Sequence, residues 1–333
     1  MDQSCHGISH HGISRRGSML AAGAVLAAPS VARGQGRFPE RPIRLIIPWA
    51  PGGSADAQLR SLGEQAGRLL GQPVIAENRG GAGGTLHALH LAREARPDGY
   101  TLGQMHLSVI RRPFLVRTPQ WDTTTDFTHI IGLSGWLFGV AVAANSPFQT
   151  WQQMIAHARA NPGAVSFATS GIATTNHLTM EDIMARERIE MTHVAFRGAS
   201  EAVPAVLGGS VNMIADSSVW AGPVEAGQMR LLSVWTAERV ARFPNVPTLR
   251  ELGYDIVVTS NYGISGPPRM DPGIVRVLHD AFHTALMSPE NTRVRTQFDM
   301  PLVYLNTVEY ADFVSQRATW EREMVTRLGI RME

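Results

Sequence analysis

The chain has 333 residues and a formal net charge of +2, and all 30 of its basic residues are arginine. Without lysine, neither a phosphate-loop lysine nor a Schiff-base lysine can be built. The single cysteine is Cys5, which leaves no pair for a disulfide, and no basic run marks a nucleic-acid surface.

Residues 1–32 read as an export signal. Ser14-Arg15-Arg16-Gly17-Ser18-Met19-Leu20 carries a twin arginine, Met19 to Ala28 is a short apolar run, and Ser30-Val31-Ala32 is a small-x-small cleavage site. The run is too short to span a bilayer. Cys5, His6, His10 and His11 fall in this leader and read as leader residues, not as a metal site. Cleavage after Ala32 leaves a chain without cysteine, so a thiol nucleophile and a thiolate metal site are excluded and the core must hold the fold. About three hundred residues remain, enough for two domains. The expected location is the periplasm, with the twin-arginine route open.

The mature chain opens with a polar stretch from Arg37 to Pro42. Leu45-Ile46-Ile47 then reads as a buried strand, Pro48-Trp49-Ala50-Pro51-Gly52-Gly53-Ser54-Ala55-Asp56 as a glycine loop, and Asp56 to Leu70 as a helix. Gly52 and Gly53 leave the backbone N–H groups open, and Ser54 and Asp56 suit a cap or a first turn. A helix start approached through glycines is either a tight turn or an anion site. Val74 to Glu77 is a second strand, Asn78 to Thr85 a second glycine loop, Leu86 to Ala95 a helix, and Tyr100 to His106 a third strand. This β-α-β-α-β order implies a parallel sheet with right-handed crossovers. Arg111-Arg112 falls in a loop after the third strand. It is either a solvated pair or a fork for a ligand's distal carboxylate, with Arg112 as the contact.

Phe127 to Leu133 and Trp136 to Ala143 are apolar strand-like runs, after which the pattern restarts. Helices are expected over Thr150 to Ala160, Thr175 to Arg186 and Ser200 to Leu207. Strands are expected over Val165 to Thr169, Met191 to Phe196, Val211 to Ala215 and Leu231 to Trp235. Tyr254 to Ile264 is again strand-like, and helices over Pro272 to Met287, Pro289 to Phe298 and Val308 to Arg327 close the chain. In the last, Tyr310, Phe313, Trp320, Met324 and Leu328 lie roughly on one face. The crossings between units fall near Ser134–Ser146 and Trp235–Thr259, as in hinged two-domain binders. The expected domains are 33–137 with 257–333, and 138–256.

Three constellations carry chemistry. Asn78-Arg79-Gly80-Gly81-Ala82-Gly83-Gly84 imitates a dinucleotide loop, but Leu86 stands where its last glycine belongs. Ser170-Gly171-Ile172-Ala173-Thr174-Thr175 repeats the strand-loop-helix layout of the first loop, with Thr174 or Thr175 as helix cap. Asp216 ends a strand where ligands sit in parallel sheets, and either contacts ligand or caps the following segment. Ser54, Ser170, His177 and Asp216 make a hydrolase triad only on paper, because no G-x-S-x-G elbow supports it. His177 reads as a hydrogen-bonded structural residue. No cofactor or metal is expected.

Several of these stretches together resemble a family. They are Arg41-Pro42-Ile43-Arg44, Pro48-Trp49-Ala50-Pro51-Gly52-Gly53-Ser54-Ala55-Asp56, Gly71-Gln72-Pro73-Val74, Glu77-Asn78-Arg79 with Gly81-Ala82-Gly83-Gly84, and Pro97-Asp98-Gly99-Tyr100-Thr101-Leu102. Asp126-Phe127, Ser170-Gly171 with His177-Leu178, Asn245-Val246-Pro247-Thr248, Glu251-Leu252-Gly253 and Trp320 continue the pattern. From about Phe38 onward the chain resembles the periplasmic solute-binding receptors of tripartite tricarboxylate transporters, the Bug family. The resemblance implies an α/β, two-domain, periplasmic-binding-protein-like flytrap, each domain a mainly parallel sheet flanked by helices. It implies that the loops matching Trp49–Ser54 and Ser170–Thr174 grip a ligand carboxylate through backbone N–H groups and ordered water.

The expected ligand set is therefore Trp49, Ala50, Gly52, Gly53, Ser54, Asp56, Ser170, Gly171, Ala173, Thr174, Asp216 and Arg112. The expected protein is a monomeric receptor, not an enzyme, that hands a small carboxylate to two membrane subunits. The competing classes are an exported α/β hydrolase and a ligand sensor that feeds a signalling protein. Trp49, Ala55, Gly80, Ala173 and Arg112 depart from the family's usual Phe, Thr, Pro, Gly and Asn, and Ala195-Phe196-Arg197-Gly198 replaces a Pro-Tyr-Lys-Gly pattern. These departures leave the ligand's identity open.

Overall fold

The computed structural model describes residues 38–329 and Arg331. The expected export signal, with Cys5, His6, His10, His11, Arg15, Arg16 and its cleavage site at Ala32, lies outside the described residues. In chain order the first elements are β1 (Ile43–Ile47), α1 (Ser54–Leu70), β2 (Val74–Asn78), α2 (Leu86–Arg93), β3 (Thr101–Met105), α3 (Leu107–Leu115) and β4 (Thr128–Gly135). Next come β5 (Phe138–Ala143), α4 (Trp151–Ala160), β6 (Ser166–Thr169), α5 (Thr175–Glu187), β7 (Thr192–Ala195), α6 (Ala199–Leu207), β8 (Met213–Ser217), α7 (Ala221–Glu225) and β9 (Met229–Val234). The chain finishes with β10 (Asn261–Gly266), α8 (Pro272–Leu286), α9 (Pro289–Gln297), β11 (Leu302–Leu305) and α10 (Thr307–Leu328).

These strands form two sheets, in the orders β11-β4-β10-β3-β1-β2 and β7-β6-β8-β5-β9. In the first, β1 pairs in parallel with β2 and β3, while β10 runs antiparallel to β3 and β4, and β11 antiparallel to β4. Strands β1 to β4 therefore share one direction and β10 and β11 oppose it. In the second, β6 is parallel to β7 and β8, and β5 is antiparallel to β8 and β9, so β5 alone is reversed. Two largely parallel sheets with flanking helices make a two-lobed α/β fold. The chain crosses between lobes twice, at residues 136–137 and 235–260.

Helix starts divide into two kinds. Thr150, Thr174, Asp271, Ser288 and Asn306 cap α4, α5, α8, α9 and α10 with their side chains, and Asn306 completes a capping box with Glu309. Helices α1, α3 and α6 begin on Gly53, His106 and Gly198 with no side-chain cap. Their first amides are left open.

Four sequence expectations need correction. Arg111 and Arg112 lie in α3, not in a loop. Pro113 inside that helix has no N–H for the carbonyl of Val109, and Trp121 Nε1 donates to that carbonyl at 3.0 Å instead. The apolar run at Tyr254 becomes strand only from Asn261, because residues 254–260 form the return crossing. On α10, Tyr310 and Met324 are buried as expected, together with Val314, Ala318, Glu321 and Val325, but Phe313 is only half-buried and Trp320 is 45% exposed. The charged Glu321 on the inner face disguised the true stripe. Strand β11 was not anticipated; it is a short edge whose pairing with β4 slips in register.

Both crossings lie beside an aromatic cluster. Trp136 stacks on Tyr262 with centroids 4.3 Å apart and meets Trp49 edge-on at 6.1 Å. Gly263, in the middle of β10, is as tight as any position nearby: a Cβ there would fall 2.0 Å from the Ile131 carbonyl oxygen and 2.6 Å from Tyr310 Cζ. Gly263→Ala is expected to cost about 2 kcal/mol or more through overpacking. Gly222→Ala, where a Cβ meets nothing within 4 Å, should stay within about 0.5 kcal/mol of wild type. Urea unfolding of both variants checks the contrast.

Candidate ligand site

The N-terminal turns of α1, α3, α5 and α6 border one cavity between the lobes. Gly53, Ser54 and Ala55 come from α1, His106 and Ser108 from α3, Thr174, Thr175 and Asn176 from α5, and Ala199 from α6. Trp49, Ala50, Ser170, Asp216 and Ser217 fill the spaces between these turns, and Trp136, Phe138 and Ser260 from the crossings complete the wall. The cavity spans about 480 Å³, including its mouth.

In each helix the first amide to bond backwards marks how many precede it. These are Ala57 N to Gly53 O at 3.0 Å, Val109 N to His106 O at 3.0 Å, Leu178 N to Thr174 O at 3.0 Å, and Glu201 N to Gly198 O at 3.1 Å. Ahead of them the amides of Ser54, Ala55, Leu107, Ser108, Thr175, Asn176 and Ala199 have no carbonyl of their own helix within reach. Four positive helix ends therefore surround a space with no arginine in its wall among the described residues. The titratable wall residues are His106 and Asp216. Burial lowers the His106 pKa to about 3, so the ring is neutral. Burial raises the Asp216 pKa to about 6, against the hydrogen bonds it accepts.

Asp216 organises the second loop. Its Oδ2 accepts from Ser170 N at 2.6 Å, Ser170 Oγ at 2.6 Å and Asn176 Nδ2 at 2.7 Å, and its Oδ1 accepts from Ser217 N at 2.7 Å. The parallel β6–β8 pairing, with Ala168 opposite Ile214, brings Ser170 opposite Asp216. Thr169 and Thr174 hydroxyls both donate to the Gly171 carbonyl, at 3.1 and 2.7 Å. Gly171 at φ +137° and Ala173 at φ +58° turn this loop through left-handed backbone.

Asp56 organises the first loop from behind. It accepts from Gly52 N at 2.9 Å, Asn78 Nδ2 at 2.7 Å and Arg60 Nε at 2.9 Å. The lobes touch around the cavity. Ala50 N donates to Arg197 O at 3.2 Å and Ser200 Oγ to Pro51 O at 2.8 Å. Cβ atoms placed on Gly171 and Gly198 would come within 2.9 Å of Gly83 Cα and 2.8 Å of Ala50 N.

Of the residues singled out in the sequence, Trp49, Ala50, Gly53, Ser54, Ser170, Thr174 and Asp216 line the cavity. Gly52, Asp56, Gly171 and Ala173 shape the loops without lining it. Arg112 stands apart, at a separate hollow with Pro113, Val116 and Trp121. His106, Ser108, Trp136, Asn176, Ala199, Ser217 and Ser260 are wall residues not foreseen. The rule that ligands sit at the carboxyl ends of parallel strands applies to His106 and Ser108, which follow β3 directly. Ser170 and His177 do not form a catalytic pair. Ser170 Oγ donates to Asp216, while His177 Nδ1 accepts from Ala173 N at 3.1 Å and its ring stacks on His193 at 3.9 Å.

Arg111 ties the second loop to the first lobe. It is 2% exposed and donates to Glu321 Oε2 at 2.6 Å and Oε1 at 3.1 Å. Its Nη1 donates to Ala173 O at 2.9 Å and its Nη2 to Thr175 Oγ1 at 3.3 Å.

Residues 58–330 match the family described as "Tripartite tricarboxylate transporter family receptor", and the chain belongs to that family. It is 43% identical over 321 residues to the "UPF0065 protein in gbd 5'region" of Cupriavidus necator, covering 96% of this chain and 98% of that one. It resembles the periplasmic binding protein BugD at 25% identity and a TM-score of 0.84, covering 89% of this chain and all of that one. It resembles MatC of Rhodopseudomonas palustris, solved with malate bound, at 25% identity and a TM-score of 0.79, covering 86% of this chain and all of that one. The chain is thus a Bug-type solute-binding receptor by family, with the periplasmic-binding-protein fold.

The Arg111–Glu321 pair yields a stability test. Glu321→Ala leaves a buried guanidinium short of its partner and is expected to cost about 3–5 kcal/mol. Combining Arg111→Met with Glu321→Leu removes both charges and should recover at least about half of that loss. Urea unfolding of the single and double variants measures it.

Proposed function

We propose that this protein captures a small carboxylate in the cavity between its lobes and delivers it to the membrane subunits of a tripartite tricarboxylate-type transporter. The observation that carries the proposal is the meeting of four helix N-termini around a space whose wall, among the described residues, holds no arginine and a neutral His106. Backbone donors in a closed, partly dry cleft hold an anion without a cation. The malate found in MatC is consistent with a short dicarboxylate, and malate is the first probe to use.

The gripping residues are Trp49, Ala50, Gly53 and Ser54 from one lobe and Ser170, Thr174 and Asp216 from the other. Domain limits of 33–137 with 257–333, and 138–256, place each loop on its own domain. A ligand that bridges both loops binds the closed arrangement better and shifts the population towards it. No covalent step is needed, and we expect no turnover of simple esters. The work site is the periplasm, the expected export signal supplies the route, and the protein acts as a monomer. Among the described residues no helix is long and apolar enough to cross a membrane.

Calorimetric titration with malate, succinate, citrate and acetate tests the reading. At least one carboxylate should bind, and the same ligand should raise the melting temperature by mass action. If no carboxylate binds protein freed of retained ligand by unfolding and refolding, the proposal fails. Gly53→Val puts a branched side chain on the cavity wall at a position where a Cβ meets nothing nearer than 3.9 Å. It should fold normally and weaken the ligand by about tenfold or more. Unchanged affinity would remove the first loop from the site.

Asp216 gives the binding a pH dependence with a definite sign. A bound anion disfavours the charged carboxylate, so Asp216 holds its proton more tightly in the complex than in the free protein, where its pKa is about 6. Binding therefore takes up a proton in the window above that value, and affinity falls as pH rises through it. His106 stays neutral throughout. Titrations across that window should show the fall, and Asp216→Asn should flatten it.

A further inference from the structure

A second crevice lies on the hinge side of the molecule, bordered by both chain crossings. Its walls are mostly apolar, with Leu137, Val240, Val257, Met300 and Pro301 among them, and it spans about 1250 Å³ including its mouth. It shares Trp136 and Ser260 with the interlobe cavity, so the crossings stand between the two spaces.

One wall residue is Arg295, near the end of α9. Its side chain is 9% exposed. Nη2 donates to Thr292 Oγ1 at 3.1 Å, and Nε is buried with no hydrogen-bond partner. Among the described residues no carboxylate forms an ion pair with it. Asp299 borders the same crevice, but its Oδ2 is held by Arg242 Nη1 at 2.8 Å. Burial lowers the Arg295 pKa, yet a guanidinium does not give up its proton in a protein. The charge is therefore partly desolvated and has no carboxylate partner among the described residues, a costly arrangement. Compare Arg111, more deeply buried at 2% exposed, which is matched by a bidentate carboxylate.

We propose that this crevice is a second ligand site, for a small carboxylate with an apolar body such as an aromatic acid. The carboxylate supplies the missing counter-charge at Arg295, and the ring lies against the valine, methionine and proline walls. The site is separate from the proposed transport cavity and stands or falls independently of it.

Titrating the protein with para-fluorobenzoate, followed by fluorine NMR, tests the proposal. Wild type should bind it, and Gly53→Val, which obstructs only the interlobe cavity, should bind it equally. Arg295→Gln should weaken it by about tenfold or more, the usual scale for a hydrogen bond to a charged group. Arg295→Lys, which keeps the charge, should lose less. Fluoroacetate, without the ring, should bind far more weakly. Where Arg295→Gln does not fold, Val257→Trp decides, because it fills the crevice from a half-buried wall and leaves the charge in place; binding must then disappear. The proposal is overturned if wild type does not bind the probe, if Arg295→Gln or Val257→Trp binds as wild type does, or if binding is lost in Gly53→Val.

Discussion

An α-helix begins with amides that its own carbonyls cannot reach, and four such beginnings meet at one cavity here. That meeting constrains much of the surrounding chain. Three of the four, α1, α3 and α6, have no side-chain cap, and in α5 the Thr174 cap takes the His177 amide and leaves those of Thr175 and Asn176 free. Close approach of the lobes needs backbone without Cβ atoms, hence Gly171 against Gly83 and Gly198 against Ala50. A cavity polarised by dipoles also has no need of a cation in its wall. Arginine nonetheless makes up the whole basic complement of the chain, so its absence from the wall is a property of the site and not of the composition.

A buried carboxylate beside a cavity ringed by helix N-termini looks self-defeating until its hydrogen bonds are followed. Asp216 accepts both polar groups of Ser170, the amide of Ser217 and the side chain of Asn176. It draws β6, β8 and the first turn of α5 to one point and fixes the loop between Ser170 and Thr174 in its left-handed path. Four donors favour the charged form, and complete burial favours the neutral one. Burial wins, and the pKa rises to about 6. The same group thus serves as the scaffold of the loop and, among the described residues, as the one carboxylate in the cavity wall.

The parts of this design that the sequence displays are those built from local signals. An apolar run into Gly52-Gly53 shows a strand, a loop and a helix start, and Ser170-Gly171 shows the same again, so both loops are legible together with the two-lobed α/β order. What stays hidden depends on partners far away in the chain. Helix α3 follows β3 without a glycine, so His106 and Ser108 give no loop signal. Pro113 reads as a helix breaker until Trp121 is seen filling its missing hydrogen bond. The inner face of α10 contains Glu321, whose burial makes sense only with Arg111, 210 residues earlier. Strand β11 is a run of only four apolar residues between Pro301 and Asn306, too short to stand out until its pairing with β4 is seen.

The Arg111–Glu321 pair also shows how the first lobe acts on a loop of the second. Glu321 on α10 holds the guanidinium in one orientation with two hydrogen bonds, and its Oε1 also accepts from Arg317 Nε at 3.0 Å. What remains of the guanidinium is aimed at the Ala173 carbonyl and the Thr175 hydroxyl. Ala173 is the non-glycine residue that this loop carries at positive φ, so the arginine bonds the backbone where it is most strained. A positive group donating to that carbonyl also polarises the next peptide, whose amide begins the turn into α5. The arginine that the cavity wall lacks is thus present one layer behind it, where its charge is cancelled by Glu321 and its hydrogen bonds set the position of the amides that face the cavity.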